Sequence, residues 1–261
     1  MAEGTPPQLD TGVAHVARVY DYWLGGTDNF AADRAAAEQV MRFMPEILDT
    51  VRGNRRFLAR AVAFLRDAGI RQFIDIGSGL PSSPNVHEVA QAGETGARVV
   101  YVDNDPLVFS RASPLTAADR VSVVQADLRE VDGVLARAGE LLDLSQPAGL
   151  LFVGCLHHIV DADDPAGLVA RYLAALAPGS YLVISHVTDD RSAEKMRANS
   201  EVAESSGAVL IPRGRDAILH MFNGRELVEP GLVLVSYWRP DGGDPGPDAD
   251  RAWAYGGVAA V

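Results

Sequence analysis

Three carboxylates stand at the ends of three apolar runs: Asp75 in QFIDIGSGL, Asp103 in ARVVYVDND and Asp127 in VSVVQADLR. They lie about 25 residues apart, a spacing that suits successive strand tips at the rim where open α/β sheets bind their ligands. A single acid after a strand is commonplace, whereas three in this rhythm form a pattern. Asp75 stands two residues before Gly77, where a dinucleotide-binding strand usually carries an apolar residue. A carboxylate at that point attracts a cation, and an ammonium group fits. Asp103, followed by Asn104, is placed to accept two hydrogen bonds from a ribose diol. Asp127 can accept from an adenine amino group, with the backbone amide of Ala126 or Leu128 offered to a ring nitrogen. Asp105, just before Pro106, reads instead as a helix N-cap.

The turn Gly77-Ser78-Gly79 follows the first run directly. Its glycines let the backbone press amides against a ligand. A dinucleotide fingerprint is nevertheless incomplete: Ser82 takes the place of its third glycine, and Pro81 and Pro84 remove donors that a pyrophosphate needs. An NAD-linked oxidoreductase is therefore disfavoured.

His157 and His158, in GCLHHIVD after the fourth apolar run, are the leading candidates for a general base. The alternative is that one caps the strand and the other faces solvent. His186, after the fifth run, is the second choice. Asn85 and His87 follow the glycine turn and are within reach of a cofactor carboxylate or a substrate, although Asn85 also reads as a simple helix cap. Tyr20, Tyr22 and Asn29 cluster near the flexible Gly25-Gly26 pair in a segment that can fold over the sheet as a lid. No H-E-x-x-H or similar spacing is present, so no metal site is expected, and the missing G-x-S-x-G disfavours a serine hydrolase.

The elements that position these residues follow from the apolar pattern. Strands are expected at 72–76, 97–103, 121–127, 149–154, 181–186, 232–238 and 254–261, and helices between them at 84–93, 105–118, 129–138, 165–177 and 213–222. Several of these strands are continuously apolar, as befits burial on both faces. The last two are joined by RPDGGDPGPDAD (239–250), which has no apolar periodicity and suits an antiparallel pair. Residues 1–69 read as helices at 15–26, 31–43 and 51–69, a cap or lid in front of a core spanning 70–261.

The chain has 261 residues and a net charge of −12, which argues against a broad grip on nucleic acid or an anionic membrane and favours a small-molecule partner. Cys155 is the single cysteine, so an intrachain disulfide and a cysteine-based zinc site are excluded. The stretch MAEGTPPQLDTG lacks the features of a signal peptide, and no apolar run is long enough to span a bilayer. A cytoplasmic location is expected; a homo-oligomer stays open.

Taken together, RVYDYWLGGTDNFAADRAAAE (18–38), IDIGSGLPSSPNVHEVAQ (74–91), VVYVDNDP (99–106), ADLR (126–129), the stretch 163–186 and LVEPGLVLVSYWRP (227–240) resemble the class I S-adenosylmethionine-dependent methyltransferases. Within that class the chain is similar to the actinobacterial S-adenosyl methyltransferase family, formerly a domain of unknown function. The resemblance runs from near the start of the sequence to Val258. It implies a Rossmann-like, seven-stranded, mostly parallel sheet in the order 3-2-1-4-5-7-6, with helices on both faces and an antiparallel seventh strand. It also implies S-adenosylmethionine as the methyl donor and S-adenosylhomocysteine as its product. By this resemblance Asp75, Gly77 and Gly79 would lie beside the methionine part, Asp103 on the ribose and Asp127 near the adenine; Ser78, Asn104, Ala126 and Leu128, their neighbours at the same strand tips, complete the set of cofactor-binding candidates. The class usually has another glycine where Leu80 or Pro81 stands here. The Asn-Pro motif of DNA and protein-amide methyltransferases is missing after the fourth strand, which favours a small-molecule acceptor. Methyl transfer is an in-line displacement governed by alignment, so no residue is compelled to be catalytic. A noncatalytic cofactor-binding module is the alternative.

Overall fold

The computed structural model describes residues 9–93, 95–117 and 120–261. Three helices lead: α1 (Val16–Trp23), α2 (Ala31–Phe43) and α3 (Ile47–Asp67). Then follow β1 (Gln72–Ile76), α4 (Val86–Ala90), β2 (Arg98–Asp103), α5 (Pro106–Ala112), β3 (Val121–Gln125), α6 (Val131–Ala138), β4 (Gly149–Val153) and α7 (Pro165–Leu173). The chain ends with β5 (Tyr181–Val187), α8 (Ala193–Ser205), α9 (Arg215–His220), β6 (Val233–Leu234) and β7 (Ala254–Ala260). The helix expected over 105–118 stops at Ala112 and tightens into a single 3₁₀ segment to Ala117; its last position lies outside the described residues, as do the first eight of the chain.

The strands form one sheet in the order β3-β2-β1-β4-β5-β7-β6. β1 to β5 pair in parallel, and β7 runs antiparallel between β5 and β6. Alternate side chains supply two cores. Ile74, Ile76, Val100, Val102, Leu150 and Phe152 pack on one face with residues of α6, α7 and α9. Phe73, Val99, Tyr101, Leu151 and Val183 pack on the other with residues of α3 and α4. Burial on both faces is why these strands read as unbroken apolar runs rather than as alternation.

Two further elements differ from the sequence expectation. The strand expected over 232–238 is only two residues long, because Trp238 is fully buried among Phe57 and Phe64 of α3 and the chain turns at Val235 to deliver it there. Arg60 of α3 satisfies the carbonyls of Trp238 and Val235 at 2.8 and 2.7 Å, taking the place of a strand partner. Helix α8 has no counterpart in the expectation. Its sequence, AEKMRANSEVAES, is mostly polar and buries only Met196, Asn199 and Val202. Met196 and Val202 meet α1, α2 and the start of α3 in a separate apolar cluster with Trp253, so α1, α2 and α8 together roof the carboxyl ends of the parallel strands.

Candidate active site

Beneath that roof lies a cavity of about 300 Å³. Its wall includes Asp75, Gly77, Ser78, Gly79, Asp103, Asn104, Ala126, Asp127, Leu128, His157 and His158. All the strand-tip residues singled out from the sequence, and both leading histidines, are thus brought to one space.

The β1–β3 side of the cavity carries the acids. Asp75 is 4% exposed and accepts no hydrogen bond from any described residue. Burial, reinforced by the neighbouring Asp103 carboxylate and opposed by Arg55, pushes its pKa up to about 7. A buried carboxylate in this condition calls for a cationic donor. Asp103 is partly spent: its two oxygens accept from the amides of Gly79 at 2.8 Å and Asp105 at 3.0 Å, which holds the glycine turn against the tip of β2. Burial raises its pKa, and those two amides work against the rise. A carboxylate has about four lone-pair positions, so acceptor capacity is left for a diol. Asn104 is exposed at the rim.

The turn itself explains its glycines. Gly77 and Gly79 have φ of 68° and 66°, the left-handed region. A Cβ at Gly77 would stand 2.5 Å from the Cβ of Cys155, while one at Gly79 would enter open space on the cavity side. Gly77 therefore serves packing against the end of β4, and Gly79 leaves room at the cavity.

At the third tip the geometry separates residues that the sequence left equivalent. The Ala126 amide donates to the Asp103 carbonyl at 2.9 Å, whereas the Leu128 amide has no partner among the described residues. Asp127 is gripped by Arg129 through Nη2 and Nε at 2.6 and 2.9 Å, and Arg129 also reaches Asp163 at 3.0 Å. The Arg129 hydrogen bonds hold the Asp127 carboxyl below its usual range. This ion pair faces the cavity mouth and limits the capacity of Asp127 to accept from a ligand.

The β4–β5 side is chemically different. The wall residues drawn from β4, β5, α8 and their connections include no aspartate, glutamate, lysine or arginine; their titratable groups are Cys155, His157, His158 and His186. The Nδ1 of His158 lies 2.6 Å from the Val209 carbonyl, and His157 Nδ1 is buried without a partner. Burial lowers the pKa of His157 well below its ordinary value and that of His158 to about 4. His186 uses both ring nitrogens, Nδ1 with the Val187 carbonyl at 2.7 Å and Nε2 with Arg213 at 2.9 Å. It is thereby a structural residue and has no nitrogen to spare for a substrate.

The remaining sequence candidates divide. Tyr20 lines the cavity, donating to the Val51 carbonyl at 3.1 Å and receiving Asn54 at 3.1 Å, and Asn54 in turn accepts from Ser185 at 2.6 Å. Tyr22 points away and donates to the exposed Glu38, and Asn29 ties Asp21 to the Gly26 carbonyl; neither lines the cavity. Asn85 is a helix cap with Glu88, its side chain accepting from the Ser82 amide, and His87 pairs with Tyr101 behind the turn. Two wall residues are not marked as functional in the sequence. Asn54 sits at an apolar phase of α3, flanked by Val51 and Leu58, so a polar residue breaking the stripe is its only signal. Arg55, beside it, faces Asp75 across the wall and holds the glycine-turn segment through the carbonyls of Ser82 and Pro84. Nothing in its spacing distinguishes it. Among the described residues no group of three or more His, Cys, Asp or Glu is arranged to hold a metal, and no helix is long and apolar enough to cross a membrane.

A family model described as S-adenosyl methyltransferase matches residues 2–261. The chain is similar to a DUF574 family protein from Streptomyces avermitilis MA-4680, with 38% identity and a TM-score of 0.93 over 97% of this chain and 99% of that one. It is also similar to a candidate methyltransferase from Thermobifida fusca YX, with 38% identity, a TM-score of 0.90 and 99% of both chains covered. Human N-acetylserotonin methyltransferase in complex with S-adenosylmethionine shares the fold at a TM-score of 0.51 and 12% identity, over 92% of this chain and 61% of that one. No curated protein matches the sequence. The strand order, the cavity at the strand tips and a family match over nearly the whole length converge: the chain belongs to the S-adenosyl methyltransferase family and is an S-adenosylmethionine-dependent methyltransferase.

Proposed function

We propose that the acidic side of the cavity holds S-adenosylmethionine and that the histidine side receives a small-molecule acceptor. The observation that carries this reading is the pairing of a buried, unpartnered Asp75 with Arg55 on the same wall. The donor's amino-acid tail carries one ammonium and one carboxylate, and these two side chains are its complement. Gly77, Ser78 and Gly79 shape the floor beneath the tail. Asp103 and Asn104 accept from the ribose hydroxyls. The free Leu128 amide, rather than that of Ala126, meets an adenine ring nitrogen, with Asp127 at the rim. The bound cofactor supplies an electrophilic methyl group on a sulfonium. The protein's own part is alignment, exclusion of water by the roof and a buried Asp75 whose desolvation cost an ammonium relieves.

Residues 1–69 act as the cap, with Tyr20 on its inner surface, over a core formed by 70–261. The neutral histidine side, polar but without an ion, suits a compact uncharged acceptor rather than a polyanion. Electrostatics over the whole molecule, at a net charge of −12, point the same way. A cytoplasmic location fits the single, buried thiol.

Isothermal titration with S-adenosylmethionine and S-adenosylhomocysteine tests the cofactor assignment. Micromolar binding that Asp75→Asn and Arg55→Ala each weaken is expected; binding untouched by both substitutions refutes the tail assignment.

A further inference from the structure

His157 and His158 differ in a way that defines what they can recognise. A carbonyl oxygen only accepts, so the 2.6 Å contact with Val209 places the proton of neutral His158 on Nδ1. Its Nε2, without a partner among the described residues, then presents a lone pair. His157 has the opposite arrangement. Its Nδ1 is sealed and unpartnered, and an orphaned buried N–H is rarer than an under-satisfied acceptor. The proton therefore sits on Nε2, which becomes a donor. Both rings line the cavity, with centroids 4.3 Å apart.

The segment after α8 builds this difference. Val209 and Ile211 pair with the two histidines, the first through the His158 ring and the second through its amide to the His157 carbonyl at 2.7 Å. The strap thus holds one histidine by its side chain and the other by its backbone. Around them stand Ser185, Asn54, Ile159 and Leu210, which add polar but uncharged and apolar surface.

We infer that His157 and His158 form a donor–acceptor pair for a neutral hydroxyl on an apolar scaffold, with His158 Nε2 accepting the hydroxyl proton as its oxygen is methylated. This rests on the reading above that the acceptor binds at the histidine side. A hydroxyl oxygen meets all three demands: it donates its proton to His158, accepts from His157 Nε2 and keeps a second lone pair for the methyl carbon, and a thiol, a weak donor and weak acceptor, meets the first two poorly. An aromatic N–H has no spare lone pair, and an ammonium finds no carboxylate there. In the step the C–S bond breaks with its electrons remaining on sulfur, an O–C bond forms, and the O–H proton passes to His158 and then to solvent. A weakly basic imidazole suffices, because the oxygen becomes strongly acidic as it gains the methyl group.

The test reads the imidazole nitrogens by NMR in the protein with and without S-adenosylhomocysteine, adding phenol or anisole as probes. Expected are a protonated Nδ1 on His158 and a protonated Nε2 on His157, and a His158 Nε2 signal that moves with phenol but not with anisole. A protonated Nε2 on His158, or the same response to both probes, overturns the inference. The variant His158→Asn retains a donor for Val209 and removes only the accepting nitrogen. It should keep its affinity for S-adenosylhomocysteine and bind phenol more weakly than the parent, read at the His157 Nε2 signal that both proteins carry; a phenol affinity equal to the parent's also overturns the inference. Failure to bind S-adenosylhomocysteine at all would count against the cofactor assignment instead, leaving the tautomer result to stand separately.

Discussion

The two sides of the cavity solve opposite problems with the same backbone device, a residue at the carboxyl end of a parallel strand. On the β1–β3 side, charge is buried ahead of its partner: Asp75 has no donor and its pKa is raised to about 7, while Asp103 spends two lone-pair positions on the Gly79 and Asp105 amides. On the β4–β5 side charge is avoided, and burial holds His157, His158 and His186 neutral, the last two with pKa values of about 4 and 3. The first side is strained until a cation arrives; the second is content without one. On the reading proposed above, that difference places the ionic cofactor on one side and an uncharged acceptor on the other, with electrostatic cost, more than shape, marking where a charged ligand belongs.

Asp103→Ala should break the acidic side most severely. It removes two charge-assisted acceptor positions for the diol and orphans the Gly79 and Asp105 amides, so S-adenosylhomocysteine affinity is expected to fall about 100-fold or more, at ~1.5–3 kcal/mol per bond to a charged group. Titration calorimetry checks it, and His158→Asn, with an affinity within about twofold of the parent, provides the contrast across the cavity.

Asp75→Asn sharpens the comparison because its two effects have opposite signs. Folding raises this carboxyl from 3.8 to about 7. Between those values the folded state keeps a proton that the unfolded chain has released, so stability falls as pH rises through that window, and the full penalty stands above it. By ~1.4 kcal/mol per pKa unit this amounts to a few kcal/mol. Asp75→Asn is therefore expected to raise the Tm of the unliganded protein at alkaline pH, to lose that advantage near the lower end of the window, and to bind cofactor about tenfold or more weakly. Thermal denaturation across pH follows both limbs.

Asn54→Ala attacks the joint between the roof and the neutral side. Ser185 loses its acceptor and Tyr20 its donor, at a cost of about 1–3 kcal/mol in urea unfolding, with cofactor affinity held within about twofold because none of these groups belongs to the acidic side. Tyr22→Phe is the mildest change. Its hydroxyl meets only the exposed Glu38, so stability and binding should stay within about 0.5 kcal/mol of the parent.

How much of this is legible in the sequence depends on which force places each residue. Asp75, Asp103 and Asp127 are readable because a charged side chain closing an apolar run gains nothing from packing, and three such breaks recur at one spacing. The hairpin of β6 and β7 follows from the Pro/Gly/Asp loop between them. Helix α8 is not readable, since a roof that touches the protein along one thin line needs little apolar periodicity. The shortness of β6 is hidden too, because the burial of Trp238 against Phe57 and Phe64 is a tertiary preference that overrides local strand propensity. Arg55 and the tautomer of His158 depend on what lies across space, the former facing Asp75 and the latter the Val209 carbonyl. Tyr22 and Asn29 illustrate the converse: residues of suitable chemistry near a glycine pair, turned outward or spent on their own loop.

A crystal structure grown with S-adenosylhomocysteine tests the division of the cavity most directly. The ribose is expected against Asp103, the amino-acid tail between Asp75 and Arg55, and the sulfur turned toward His157 and His158. A nucleoside lodged against the histidines, or a tail that touches neither Asp75 nor Arg55, would contradict that division.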